Sequence, residues 1–296
     1  ALPNISHGIH AIEGGGITIG GTAAGEGNVI SGNGGMGLFT TSTDNVDVIG
    51  NYIGLAADGS TDVGNTSHGF YSIGTTNLSI GDGTAAGRNV IANSGQYGVV
   101  LQDVTGVDVL GNYIGTAVDG LTGAGNGNSG MLLTRVTNSD IGNGTAGGRN
   151  IISDNSGLGI VFSDTTDGIT IDHNYIGLGA DGSTLLGNTL QGISAGTEAQ
   201  NITITDNTIS GNQQGLVIGT GAFANFIINE NRIGTDATGL LDRGNTNDGI
   251  HINVNTGSAT GFTIGSIGLG NVIGNNSGSG LYLSDVTQAT LIGNLI

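Results

Sequence analysis

Four aspartates recur in this 296-residue chain at positions that suit either a turn or a cation. Each stands in a loop that follows an Asn-x-Ile segment, and they are Asp58, Asp119, Asp181 and Asp236. An Asp-Gly pair is typical of a turn, because the carboxylate caps nearby backbone amides and Gly accepts a left-handed conformation. The alternative is calcium, held by loop carboxylates and carbonyls, although the alternating Asp spacing of a dedicated calcium loop is absent. We therefore keep these four as candidate calcium ligands and expect no obligatory cofactor or other metal.

Histidine and arginine are scarce. His7 and His68 share one position of a repeat, and His10 and His251 share another, too far apart to meet the roughly 2 Å ligand distance of a zinc ion. His173 stands where the repeat has Gly, which we interpret as surface variation. Among the arginines, Arg88 and Arg149 occupy one repeat position, and this favours a role at a corner of the fold.

The charge balance excludes several classes of protein. Five Arg face 23 Asp and Glu, Lys and Cys are absent, and the formal net charge is −18. A nucleic-acid surface needs a basic patch that this composition does not supply. No run of about 18 apolar residues predicts a membrane span. Gly accounts for 61 residues but without the strict triplet of collagen, and good helix formers are few.

A repeat of about 61 residues organises the whole chain. Its marker is an Asn that stands two residues before an Ile. The marker occurs at Asn51, Asn112, Asn174, Asn231 and Asn294. Each unit divides into two similar halves of about 30 residues, and each half carries three short alternating strands. Strands this short bury little alone, so identical modules must stack to form a continuous core.

These features predict an all-β fold: a single right-handed parallel β-helix of about ten coils in five double-coil repeats, one continuous domain over 1–296. Right-handedness follows from the chirality of parallel β crossovers. Period-2 alternation points Leu38 and Thr40 inward, with their equivalents in the other units. The marker asparagines should form a ladder at one corner, hydrogen-bonding up and down the stack.

One outward column is apolar where a solvated face would be polar. It consists of Phe39, Val100, Val161, Val217 and Tyr282. Either the long loop after each marker Ile covers this strip, or the strip is an interface.

The segment Gly50-Asn-Tyr-Ile-Gly-x-x-x-Asp-Gly59, followed by Gly64-Asn65 and Gly69-Phe70, resembles the right-handed parallel β-helix repeat regions of large secreted or surface bacterial proteins. That architecture includes polysaccharide lyases, polygalacturonases, mannuronan epimerases, phage tailspikes and adhesin stalks. The polygalacturonase pattern is echoed only at 245–250, the epimerase Asp-Pro-His is absent because Pro3 is the one proline, and a catalytic Lys is absent too. No coil is evident in which outward charge breaks the repeat.

The sequence therefore favours a structural role, as a stalk, adhesin or extracellular fibre segment that is secreted or on the cell surface. We expect it to be a segment of a longer solenoid and to associate end to end or with other surface or matrix components. The alternative is a carbohydrate-active enzyme of the polysaccharide lyase or glycoside hydrolase kind, or a glycan-binding module with polysaccharide as partner.

Overall fold

A computed structural model describes residues 3–196, 198–254 and 258–296, and in this part of the chain all regular structure is strand. In chain order the strands are β1 (Ile9–Gly20), β2 (Val29–Ile30), β3 (Leu38–Ile49), β4 (Tyr52–Ile53), β5 (Phe70–Ile73), β6 (Thr76–Ile80), β7 (Val90–Ile91), β8 (Val99–Gln102), β9 (Thr105–Val109), β10 (Tyr113–Ile114), β11 (Met131–Thr134), β12 (Thr137–Ile141), β13 (Ile151–Ile152) and β14 (Ile160–Ser163). They continue as β15 (Thr166–Asp172), β16 (Tyr175–Ile176), β17 (Gln191–Ala195), β18 (Ala199–Thr205), β19 (Thr208–Ile209), β20 (Gln214–Ile218), β21 (Ala222–Asn229), β22 (Arg232–Ile233), β23 (Ile250–Asn253), β24 (Ser258–Thr260), β25 (Phe262–Ile264), β26 (Val272–Ile273), β27 (Leu281–Ser284) and β28 (Ala289–Leu291).

The strands form two parallel sheets that wind about one axis. The large sheet has 19 strands and the small sheet nine. Each turn contributes to the large sheet a first arm, such as β5, and a second arm, such as β6. It then contributes one two-residue strand, such as β7, to the small sheet. The chain is thus a parallel β-helix of about nine turns, which confirms the fold predicted from the repeat and comes close to the predicted number of coils.

The core is built from columns of residues in exact register along the axis. In the first arm one inward column runs Ile9, Leu38, Phe70, Val99, Met131, Ile160, Ile193, Leu216, Ile250, Leu281. In the small sheet every described strand ends in Ile, from Ile30 to Ile273, and each of these side chains is buried. Because each rung places an apolar side chain inward at this position, neighbouring coils together bury one continuous apolar interior.

Corners between strands depend on left-handed backbone conformations. Gly115, at the end of a small-sheet strand, has a φ of 94°, and a Cβ there would lie 2.0 Å from the carbonyl oxygen of Ser153 on the next coil. Only glycine fits such an approach. The 61 glycines of the composition therefore reflect sharp corners and close contacts between coils rather than a flexible chain.

The marker asparagines lie at the corner between the second arm and the small sheet. Asn51, Asn112, Asn174 and Asn231 are fully buried. The Nδ2 of each donates to the Oδ1 of an asparagine on the next coil, at 3.0, 3.1, 3.0 and 3.0 Å. The intervening members Asn28, Asn89, Asn150, Asn207 and Asn271 donate in the same way, the last of them to Asn294 at 2.8 Å. The ladder thus has a member on every coil, twice the density of the marker positions.

A second asparagine ladder, which the sequence analysis did not identify, lies at the opposite end of the small sheet. Its buried members include Asn126, Asn155 and Asn188, linked by Nδ2-to-Oδ1 hydrogen bonds of 2.9 and 2.9 Å. Ser94 interrupts the column and donates its backbone N–H to Asn126. Two ladders satisfy the buried polar groups of both corners, because each amide side chain both donates to and accepts from its neighbours.

Candidate functional site

The four candidate calcium ligands each cap their own loop. Asp58 Oδ1 accepts the backbone N–H of Ser60 at 2.9 Å and of Thr61 at 2.8 Å, and its Oδ2 accepts the Thr61 hydroxyl. These bonds, the side-chain bond first, hold the pKa of Asp58 below its usual range. Asp119, Asp181 and Asp236 repeat the arrangement, with hydrogen bonds to residues two to five positions on. Among the described residues no three His, Asp or Glu side chains converge as metal ligands.

The residues of the apolar strip lie in one outward column of the first arm. Along the axis they alternate with the equivalent residues of the other half-repeat, such as His10 and Tyr71. Phe39 stacks on His10 with ring centroids 4.4 Å apart and on Tyr71 at 5.3 Å, with rings within 23° of parallel. Val100, Val161 and Val217 continue the column, and Tyr282 stacks on His251 at 4.5 Å. Both faces of the Phe39 ring are therefore covered by neighbouring coils. The long loops lie instead over the small sheet, where Leu55 and Ala124 cluster with its outward side chains.

A different column carries unexpected charge: the residue just before each asparagine of the first ladder. On coils without an inserted loop this residue is left-handed, and it is Gly at Gly50, Gly111 and Gly293. On three successive coils it is instead His173, Asp206 and Glu230, with φ values of 64°, 50° and 57°. Left-handed non-glycine residues also occur at other corners of this chain, among them Asp103, Arg135 and Asp164. What sets this run apart is that its charged side chains lie where a loop is missing.

A missing insertion opens this part of the surface. Two earlier units place an eight-residue loop, 81–88 and 142–149, before the ladder asparagine, and the chain omits it between Ile204 and Asn207. The gap forms a cavity of about 220 Å³ lined by Arg149, His173, Tyr175, Asp206, Thr208, Arg232 and Ala237. We call this cavity the His173 pocket. It is the size of a small-ligand subsite rather than a deep active-site cleft.

His173 and Asp206 form the centre of the His173 pocket. The Nδ1 of His173 lies 2.5 Å from Asp206 Oδ2, and its side chain is 20% exposed. The other ring nitrogen, Nε2, contacts the Nη2 of Arg149. Because a guanidinium can only donate, these partners assign the proton of the neutral imidazole to Nδ1 and leave Nε2 as the acceptor. The interpretation of His173 as surface variation is therefore wrong: it links two charged groups from neighbouring coils.

Two arginines flank the dyad. Arg149 lies over the Tyr175 ring with its Cζ 4.0 Å from the centroid, and its Nε donates to the His173 carbonyl at 3.1 Å. Arg232 stands where other coils have Tyr and donates to Asp206 Oδ1 at 3.2 Å. Arg88 makes the same ring contact with Tyr113, at 4.0 Å, and the same carbonyl bond, to Gly111, without a histidine beside it. Arg88 and Arg149 thus make the same contacts at one corner of the fold, as their shared repeat position predicts. Of the two, Arg149 lines the His173 pocket and Arg88 does not.

Acidic side chains surround the pocket. Partial burial, together with the carboxylates of Asp206, Glu230 and Asp140, raises the pKa of Asp172. On the second arm, Asp47, Ser79, Asp108 and Asp140 form one outward column in register. Partial burial and the neighbouring Asp140 likewise raise the pKa of Asp108.

This raised pKa predicts the effect of one neutral substitution. A raised pKa means that the folded protein favours the protonated form of Asp108. Folding stability is therefore highest below the ordinary Asp pKa and falls as pH rises through the raised folded-state pKa, where the carboxyl ionises. Asp108→Asn should therefore raise Tm at pH 7 by about 1–2 °C, a small effect because the site is exposed. At a pH below the ordinary Asp value of 3.8 the difference should vanish. Thermal unfolding of both proteins at pH 7 and pH 3 measures this, and an equal gain at both pH values would contradict it.

A second cluster lies at the bend of the large sheet. Arg135 bridges Asp103 and Asp164, each at 2.6 Å, and its ion pairs keep the pKa of both carboxyls low. A cavity of about 190 Å³ next to it is lined by Arg135, Thr137, Thr165, Thr166, Asp167, Glu198 and Gln200. The side chains of Arg135, Asp103 and Asp164 are all exposed, so we interpret this cluster as a surface ion-pair network.

The remaining histidines lie away from the His173 pocket. His7 contacts His10 and Phe39 at the first coils, and His68 contacts Tyr71 and Tyr97. His251 Nδ1 lies 2.8 Å from Asp248 Oδ2. The expectation that no coil breaks the repeat with outward charge is therefore wrong. The sequence signal for this departure is the residue before each ladder asparagine, which is charged or His at three successive coils. It becomes visible only when half-units of unequal length are aligned on their ladder asparagines.

The chain is a parallel β-helix, and crystal structures of the periplasmic alginate epimerase AlgG resemble it over most of its length. A mutant of that enzyme superposes with a TM-score of 0.63 and 14% identity over 91% of this chain and 58% of its own. The unmutated enzyme gives 0.61 and 14% over the same shares. A double mutant gives 0.61 and 13% over 97% of this chain and 70% of its own.

At this level of identity the likeness concerns the fold. The chain spans 58% of the length of the first two of these structures. No protein-family model matches the chain, and no curated protein sequence matches it significantly. Within the described residues, no helix is long and apolar enough to cross a membrane.

Proposed function

We propose that this chain is a polysaccharide-binding β-helix of an exported protein, and that the His173 pocket receives a sugar unit. One observation carries the proposal: three successive coils replace the left-handed glycine by His173, Asp206 and Glu230 at the place where a loop is missing. Left-handed residues occur at other corners of this chain too, so the distinguishing feature is the lining: an imidazole, a carboxylate and two guanidiniums meet in the cavity that the omitted loop leaves. The pocket therefore lies where both the residue types and the loop lengths differ from those of the other repeats.

The lining suits hydroxyl groups. Arg149 and Arg232 are donors, Asp206 is an acceptor, and the Tyr175 ring adds an apolar wall below Arg149. A sugar presents both kinds of hydrogen-bonding group and an apolar ring face. A small number of placed polar groups on a rigid sheet is the usual design of such a subsite.

Binding is favoured over turnover by the state of His173. Asp206 occupies its Nδ1 and Arg149 its Nε2, so neither nitrogen is free to accept a proton from a substrate. A general base must reach the proton that it removes. The likeness to a carbohydrate-active epimerase supports the choice of polysaccharide as ligand, and the word periplasmic in the description of that enzyme supports export.

A structural role remains the second candidate function. The observation in its favour is the pair of asparagine ladders, which continue along the rod past the pocket. A stalk, adhesin or fibre segment with end-to-end association would use this rigidity, and glycan binding would then be absent.

The test compares two arginines that make the same ring contact and the same carbonyl hydrogen bond, of which only Arg149 also contacts a histidine. Arg149→Ala should weaken binding to a recognised polysaccharide about tenfold, because the pocket loses a donor, whereas Arg88→Ala should leave the affinity unchanged. Both variants lose one cation–π contact and should lose similar stability. Affinity electrophoresis through a panel of soluble polysaccharides, followed by calorimetry, measures this.

Absence of binding by the wild-type chain across the panel would favour the structural candidate. Equal losses in both variants would remove the His173 pocket from the proposal. Release of reducing ends or of unsaturated products by the wild-type chain would show turnover and contradict the inference that the site only binds.

A further inference from the structure

The chain carries few positive charges, and each described guanidinium has a partner of its own. Arg135 bridges two carboxylates and Arg232 pairs with Asp206. Arg88 and Arg149 lie over tyrosine rings and bond backbone carbonyls. Arg243 donates to the Ser183 carbonyl at 2.5 Å and to its hydroxyl at 3.1 Å, tying two loops together. With no Lys in the sequence, no other side chain has a permanent positive charge.

The lining of the His173 pocket holds two guanidiniums and one carboxylate, and the acidic side chains in the adjoining columns outnumber that one excess positive charge. Arg149 and Arg232 face Asp206 within the lining, and Asp172, Glu230 and Asp140 act on the same carboxyl cluster from the adjoining columns. An anionic ligand would have to displace Asp206 from Arg232 at 3.2 Å and then lie beside the remaining carboxylates. Removing one partner of such a pair leaves the other charge uncompensated.

A polymer that runs along the rod meets more negative charge. Coils stack about 4.8 Å apart, so an extended chain that leaves the pocket toward earlier coils passes several rungs. The outward column there contains Asp140, Asp108 and Asp47. The cavity beside it, of about 460 Å³, is lined mainly by asparagine, aspartate and serine, and its lining includes no cation. Carboxylates and amides can hydrogen-bond hydroxyl groups but repel carboxylate groups.

We infer that the polysaccharide bound at the His173 pocket is uncharged and is not a polyuronate. This inference rests on the proposed function and specifies its ligand. It separates the chain from alginate, a polyuronate, which is named in the description of its structural neighbours. The arginines of the pocket then act as hydrogen-bond donors to hydroxyls and stay paired with Asp206 and Tyr175.

The experiment uses polysaccharide pairs that share a backbone and differ only in charge. Alginate and its carboxyl-reduced form make one pair, and polygalacturonate with and without full methyl esterification makes another. Neutral glucans, mannans and galactans complete the panel. The wild-type chain should bind only uncharged members, with an affinity that changes less than about twofold between low and high salt, because no ion pair forms.

The outcomes distinguish the two proposals. Tighter binding to either polyuronate than to its uncharged counterpart would overturn this inference and leave the proposed function standing. Absence of binding to every member would overturn both. Asp140→Asn adds a second measurement. It should change the affinity for an uncharged ligand less than about twofold, because the amide can still hydrogen-bond hydroxyl groups. A polyuronate ligand would instead bind more tightly once the repulsion is removed, and that result would contradict the inference.

Discussion

Replacing Asn112 by alanine is expected to lower the free energy of unfolding by about 3–4 kcal/mol. Its side chain is fully buried and takes part in four hydrogen bonds. Nδ2 donates to the Ile80 carbonyl at 2.6 Å and to Asn150 Oδ1 at 3.1 Å, and Oδ1 accepts the backbone N–H and the Nδ2 of Asn89. Alanine leaves the buried backbone N–H of Asn89 without its partner and removes one of two hydrogen bonds from each of the other three groups. A buried group left unsatisfied costs about 1–3 kcal/mol, and the lost bonds and the small cavity add to that cost.

Chemical denaturation measures this loss, with Asn143→Ala as the matched control. Asn143 is exposed and bonds only within its own loop, to the backbone N–H and hydroxyl of Thr145. Its replacement should cost less than about 1 kcal/mol. Asn112→Asp keeps the shape and the acceptor but loses the two donated hydrogen bonds. It should therefore lower the free energy of unfolding as well. A loss at Asn112 no larger than that at Asn143 would show that the ladder does not stabilise the stack.

Replacing His173 by glycine should reduce affinity for the recognised polysaccharide about 30-fold, equivalent to about 2 kcal/mol. The imidazole holds Arg149 and Asp206 in place from opposite sides, and without it both side chains can turn away. Glycine is the residue of other coils at this position, and the φ of 64° suits it. The variant should therefore fold with an unchanged or slightly higher Tm, so that a loss of binding reports on the pocket.

Gln288→Gly is the control for this variant. It also replaces a left-handed residue, with φ of 61°, and lies outside the His173 pocket. Its affinity should equal that of the wild-type chain in the same calorimetric titration. An undiminished affinity in His173→Gly would remove the imidazole from the site, whereas equal losses in both variants would indicate a general effect of added glycine.

The repeat by itself determined the architecture. The period of about 61 residues, the alternating strands and the marker asparagines were enough to predict a parallel β-helix, because a module with three short strands can bury its apolar residues only against its copies. The inward columns through Leu38 and Thr40 were also readable, since alternation decides which residue of a strand faces the core.

The pocket was decided only by the tertiary structure. His173 and Asp206 are 33 residues apart, Arg149 and His173 are 24 apart, and Asp206 and Arg232 are 26 apart. These separations differ because some coils carry an inserted loop and others do not. A fixed period therefore places His173 as an isolated variant of the repeat. In the fold, every coil returns to the same corner whatever its length, and the stacking of coils brings these charged side chains into contact.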